Sequence, residues 1–150
     1  MTGLDDAAFL DRQRVAHLAT ASTDGRPHVV PVCFARIDAC IYIALDEKPK
    51  SMGPMQLRRI RNILANPRVA IVADVYDEDW SRLGFALLEG TGRVLTAGDE
   101  HASAVRALRD KYPQYRAMAL DDRPIIAIDV ERMTRWGTAS ALAAGRGKGD

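Results

Sequence analysis

The chain has 150 residues, 47% of them hydrophobic and 27% charged, with a formal net charge of +1. This excludes a disordered or fibrous chain and suits one globular domain of ~100–200 residues, whose core needs no disulfide or metal staple. No apolar run reaches the ~18 residues of a membrane span, and the acidic start MTGLDDAAFLDRQR lacks a signal peptide's basic opening, so a cytoplasmic protein without membrane contact is expected.

Residues 4–13 place Leu4, Ala7, Ala8 and Leu10 along one side, which predicts a short amphipathic helix. VAHLATAS (15–22) and HVVPVCFARI (28–37) flank a loop containing Asp24-Gly25, the signature of a hairpin. ACIYIALD (39–46) extends it to a three-stranded meander. Pro31 cannot donate to a central ladder, so its strand is an edge, bulged or interrupted. The only cysteines, Cys33 and Cys40, sit among strand-like apolar residues in no ligand spacing. They read as reduced core thiols.

Pro54 suits the first position of a helix that Asn66-Pro67 closes. Leu57, Ile60, Ile63 and Leu64 form its apolar stripe, with Arg58, Arg59, Arg61 and Asn62 elsewhere on the wheel. A strand (68–76), an acidic loop and a long strand (82–97) follow, the last with Gly90 and Gly92 as bend points. Asp99 is the expected N-cap of a helix that Pro113 ends, and residues 124–136 make the last strand. The small, Gly-rich tail from 141 to 150 is expected to be mobile, leaving 1–140 as a single domain. Short links between mostly antiparallel strands predict a mainly β fold, a small Greek-key-like barrel with peripheral helices.

Several chemistries are excluded. Gly90-Thr91-Gly92 opens a dinucleotide fingerprint, but Leu95 stands where its third glycine is needed. His17, His28 and His101 have no paired ligand spacing, so no metal site is expected. Cys33 and His28 are five apart on one strand and face opposite ways, which disqualifies them as nucleophile and base. Asp74, Asp77, Glu78 and Asp79 read as a solvated loop tip. No catalytic acid, base or nucleophile stands out.

Charge is the positive signal. Between Lys48 and Ala73 the bases are Lys48, Lys50, Arg58, Arg59, Arg61 and Arg68, with no acid among them. Lys48, Lys50 and Ser51 precede a predicted helix N-terminus, where free N–H groups and the helix dipole favour an anion. A solvated helix face would intersperse glutamates. A nucleic-acid binder would be basic overall and would interleave aromatics, so a phosphate or carboxylate is the expected ligand.

The succession RVAHLATASTDGRPHVVPVCFA, YIALDEKPK, RNILANPRVAIVADVYDEDWSRL, EGTGRVL, KYPQY and IIAIDVERMTRW resembles the flavin-binding split-barrel superfamily. Within it, the chain is similar to the pyridoxamine-phosphate-oxidase-like proteins that use the deazaflavin coenzyme F420, from about Val15 to Trp136. The resemblance implies a six-stranded antiparallel Greek-key split barrel of the FMN-binding type. It also implies a homodimer with two cofactor sites at its interface. By the same resemblance Val30, Pro31, Val32 and Cys33 run beside the ring system, and Ala44 and Leu45 flank it. The bases of the stretch holding Lys48, Lys50, Ser51, Arg58 and Arg59 hold the phosphate, and Trp80, Ser81 and Arg82 contribute, often across the dimer. Two departures are SMGPM (51–55), in place of a more polar or basic run, and Gly84-Phe85, where relatives carry bulkier aromatics. The implied activity is hydride transfer between reduced deazaflavin and a small organic substrate. The alternatives are an FMN-dependent reductase or oxidase, or a non-catalytic flavin- or haem-binding module.

Overall fold

The computed structural model describes residues 4–45 and 53–137. The predicted site residues Lys48, Lys50 and Ser51, and the tail, lie outside them. The chain runs through helix α1 (Leu4–Arg12), strands β1 (Ala16–Ala21), β2 (Pro27–Val32), β3 (Ala35–Ile37) and β4 (Cys40–Ala44), helix α2 (Arg58–Ala65), strands β5 (Arg68–Val75) and β6 (Gly84–Leu95), helix α3 (Asp99–Lys111) and strand β7 (Ile125–Gly137).

All seven strands form one sheet in the order β2-β1-β5-β6-β7-β4-β3, and every pairing is antiparallel. β2 and β3 occupy opposite edges, yet only Cys33 and Phe34 separate them in the chain. The two edges must therefore converge at that point, and the sheet curls into a barrel with a split between them. This corrects the expected strand count. The run 28–37 is two strands, because one strand cannot lie on both edges, and the break falls where Phe34 turns into the core at 1% exposure. Pro31 sits on the edge strand β2, where a missing donor costs nothing in a second ladder.

Alternation along the strands fills the barrel. Leu18, Ile71 and Leu88 face one another across β1, β5 and β6 and are fully buried, whereas the next row outward is Ala19, Ala70 and Glu89. The start of β7 breaks this rule, with Ile125 to Ile128 all buried. Ile126 and Ile128 point into the barrel, while Ile125 and Ala127 pack under α3 with Ala104, Val105 and Leu108. A strand covered on both faces reads as a continuous apolar run.

The register between β6 and β7 shifts at Glu89/Gly90. A Cβ on Gly90 would stand 2.0 Å from the Asp129 carbonyl oxygen, so only glycine fits this bulge. α3 is capped by Gly98 and not by Asp99, whose carboxylate with that of Glu100 lies in the first turn, where the helix dipole favours it.

Candidate functional site

The split between the barrel edges opens into a cleft of about 250 Å³ lined by Val15, Val30, Pro31, Val32, Cys33, Ala44 and Arg59. Six of these seven are residues that the sequence singled out. β2 supplies one wall, because its alternating side chains put Val30 and Val32 on the barrel side. Ala44 ends β4 on the far side of the split. Arg59, in the first turn of α2, is only 7% exposed. Its guanidinium is the charged group among the residues that line the cleft.

α2 is fixed by both of its faces. Ile60 and Ile63 enter the barrel core, and Gly92 of β6 gives Ile63 room at a would-be Cβ distance of 3.1 Å. On the β1 side the buried Asn62 donates to the Thr20 hydroxyl at 3.0 Å. One turn earlier, the same face presents Arg58 and Arg59. Arg58 itself is exposed.

The junction between β2 and β3 is equally constrained. The Tyr112 hydroxyl accepts from the Phe34 N–H at 3.1 Å and donates to the Arg14 carbonyl at 2.9 Å. Burial pushes the tyrosine up to about 12. The Lys111 ammonium stands 3.9 Å from the Phe34 ring centre, and burial lowers it to about 8. These contacts hold Cys33 at the mouth of the cleft, packed against the α3 cluster.

Leu45 is fully buried just beyond β4 and does not line the cleft. Its carbonyl accepts from Arg123 at 3.1 Å, and the Arg123 carbonyl accepts from the His101 ring Nε2–H at 2.7 Å. Trp80, Ser81 and Arg82 form a 3₁₀ turn between β5 and β6, with Asp79 as its N-cap accepting from the Ser81 N–H at 3.1 Å. All three are exposed, Trp80 at 69%, and none is among the cleft's lining residues.

Two residues escaped the sequence reading. Val15 lines the cleft because the pairing of Ala16 with Val32 sets it beside Cys33, a neighbour visible only once the register is known. His28 is the second: burial, and then the charges of Arg58 and Arg59 on α2, lower its pKa. Cys33 lies just beyond the C-terminal end of β2, five residues from His28. Among the described residues no group of three or more His, Cys, Asp or Glu is placed to hold a metal ion, and no helix is long and apolar enough to cross a membrane.

A larger groove of about 460 Å³ runs over the outside of the sheet. Its rim mixes Arg68 and Arg132 with Glu89 and Glu131, so it has no net preference for an anion. The cleft at Arg59 is the better candidate.

The family model for pyridoxamine 5'-phosphate oxidase matches residues 6–137, nearly all of the chain and both walls of the cleft. The chain belongs to this family. Among solved structures, this family member is similar to a haem-binding protein from Mycobacterium smegmatis (19% identity, TM-score 0.71), covering 93% of this chain and 56% of that one. It is also similar to an FAD-binding protein from Mesorhizobium loti (24%, 0.65; 90% and 94% covered) and to an F420 reductase (21%, 0.63; 89% and 98% covered). At these identities the likeness establishes the shared split-barrel fold. No curated protein matches the sequence.

Proposed function

We propose that the cleft holds a phosphorylated ring cofactor, coenzyme F420, and that the protein is an oxidoreductase acting on a small organic substrate. The observation that carries this reading is the cleft itself, an apolar wall from β2 ending at the deeply placed Arg59. That combination fits a flat ring system with an anionic tail. Val15, Val30, Pro31 and Val32 exclude water and hold the ring's flat face, and Ala44 leaves room opposite. Arg59 binds the phosphate, with Lys48, Lys50, Ser51 and Arg58 as further members of the same anion site. The reduced deazaflavin supplies hydride transfer, which accounts for a site without a catalytic triad or carboxylate pair. The F420 reductase among the structural relatives adds to this reading.

The proposed assembly is a homodimer. About 250 Å³ is below the ~300–1,000 Å³ of ordinary small-molecule sites, so one chain's described residues supply part of a site. The outer sheet face carries the exposed Val29 and Trp136, the latter stacked on Phe85 with ring centres 5.9 Å apart, and Trp80 is exposed on the turn between β5 and β6. Such a face suits a second copy, whose Trp80, Ser81 and Arg82 would complete the cleft.

FMN is the second flavin-type candidate, and a haem-binding module is a reading from a different class. The haem-binding relative and the Cys33 thiol at the cleft favour the latter. Equilibrium titration of the purified protein with F420, FMN and haem decides among them. Tight binding of F420 with weak responses to the others is the expected result. Tight haem or FMN binding with no response to F420 overturns it. Light scattering at micromolar concentration is expected to give a dimer, and a monomer would remove the shared-site arrangement.

A further inference from the structure

We propose that His28 is a third ligand of the anion site and that a phosphoryl group bound between His28, Arg58 and Arg59 is held by the protonated imidazole. This rests on the reading of the cleft as a phosphate-bearing cofactor's site and adds to it a residue and a proton. The argument begins with register. His28 and Val30 share the barrel-facing side of β2, so His28 is the next inward position along the wall from a residue that lines the cleft. Across the hairpin His28 pairs with Thr20, and Thr20 receives the hydrogen bond from Asn62 of α2. The imidazole therefore lies under the turn of α2 that carries Arg58 and Arg59.

The ring's Nδ1 is buried and has no hydrogen-bond partner among the described residues. A buried ring nitrogen left so is costly unless a ligand meets it. Apolar neighbours would have made leucine or valine the cheaper choice at this position. The groups around it are Thr20, its partner on β1, and Arg58 and Arg59 of α2, whose charges reach the ring. Burial first, then Arg58 and Arg59, hold His28 below the ordinary histidine range. The free protein thus keeps it neutral at pH 7. A phosphoryl oxygen entering between the three side chains reverses both effects. It screens the two cations and accepts from an imidazolium N–H, a charge-assisted bond stronger than a neutral one. Binding therefore takes up a proton, and affinity falls as pH rises through the histidine's ligand-bound pKa, by up to tenfold per unit for one linked proton.

The test follows the His28 imidazole by nuclear magnetic resonance in chloride buffer near pH 7, with and without saturating inorganic phosphate. The parallel measurement is the pH dependence of F420 and FMN affinity in wild type and His28→Gln, with melting temperatures recorded for both. The expected result is a neutral ring that becomes cationic on adding phosphate. Cofactor affinity should weaken from pH 6 to pH 8 in wild type and stay flat in His28→Gln at an unchanged melting temperature. A ring that stays neutral at phosphate saturation overturns the proposal, even if F420 binds tightly. Failure of both cofactors with His28 still protonated by phosphate overturns the cofactor reading and leaves this anion site standing.

Discussion

Two sides of the barrel use arginine in opposite ways. On the α3 side, Arg93 donates to Asp129 at 2.7 Å and to Glu100 at 2.8 Å, and the Tyr42 hydroxyl donates to Glu100 at 2.7 Å. Arg93 and Tyr42 together hold the Glu100 carboxyl down at about 2, and the carboxylates push the Arg93 guanidinium up. On the β2 side, α2 brings Arg58, Arg59 and Arg61 from a stretch of sequence with no acid, and Arg59 reaches into the cleft. Arg93 of β6 is a little over a third exposed, and its work is to tie β6, β7 and α3 together. The α2 arginine is deeply placed and lines the cleft, where the proposed role is to meet a ligand's anion. Fold and function draw on the same side chain, and what separates the two uses is where the acids lie.

The strongest way to break the comparison acts on the frame that both sides share. Gly90→Ala drives a Cβ into the Asp129 carbonyl and misaligns the ladder that carries both Arg93 and Asp129. A loss of about 4 kcal/mol or more is expected, as for other steric violations of packed backbone. Denaturant unfolding checks it, and a loss under about 1 kcal/mol would mean that the bulge relaxes freely.

Sharper and smaller is the α3 network. Glu100 is lowered in the folded state, so its contribution is present above its ordinary value near 4.5 and is lost as pH falls toward about 2. Arg93→Gln should flatten that acid limb of the stability curve. Because both side chains are more than a third exposed, solvent screening keeps the effect modest. An unchanged acid limb in the variant would assign the pH dependence elsewhere.

A further pH effect is expected at Lys111. Burial lowers it to about 8, so the unfolded chain binds the extra proton between pH 8 and its ordinary value near 10.5. Stability from this group therefore rises with pH across that window, and Lys111→Met should remove the rise. Thermal melts at pH 7 and pH 10 compare the two proteins, and an identical pH response in both would contradict the assignment.

Much of this was legible in the sequence because it rests on local rules. The Asp24-Gly25 hairpin, the end of α2 at Asn66-Pro67, the Gly90 bulge and the acid-free basic segment all follow from residue chemistry within a few positions. Pro54, expected to open the helix, instead begins a short 3₁₀ turn, and α2 itself starts at Arg58. What stayed hidden depends on pairing between distant strands. The run 28–37 gives no local sign that it crosses from one sheet edge to the other, since Cys33 and Phe34 are as strand-like as their neighbours. Val15 belongs to the cleft only through the Ala16–Val32 register. His28 was legible as inward-facing by alternation, but its arginine neighbours come from a helix thirty residues away.

The central claim is that Arg59 serves a ligand and Arg93 serves the fold. Its most direct test measures F420 affinity and melting temperature together for Arg59→Ala and Arg93→Ala, with the exposed Arg68→Ala as control. Charge-assisted contacts contribute about 1.5–3 kcal/mol, so Arg59→Ala should weaken binding roughly tenfold to a hundredfold while melting near wild type. Arg93→Ala should melt lower and bind almost normally, and Arg68→Ala should change neither. An Arg59→Ala protein that binds F420 like wild type but melts far lower would contradict the account.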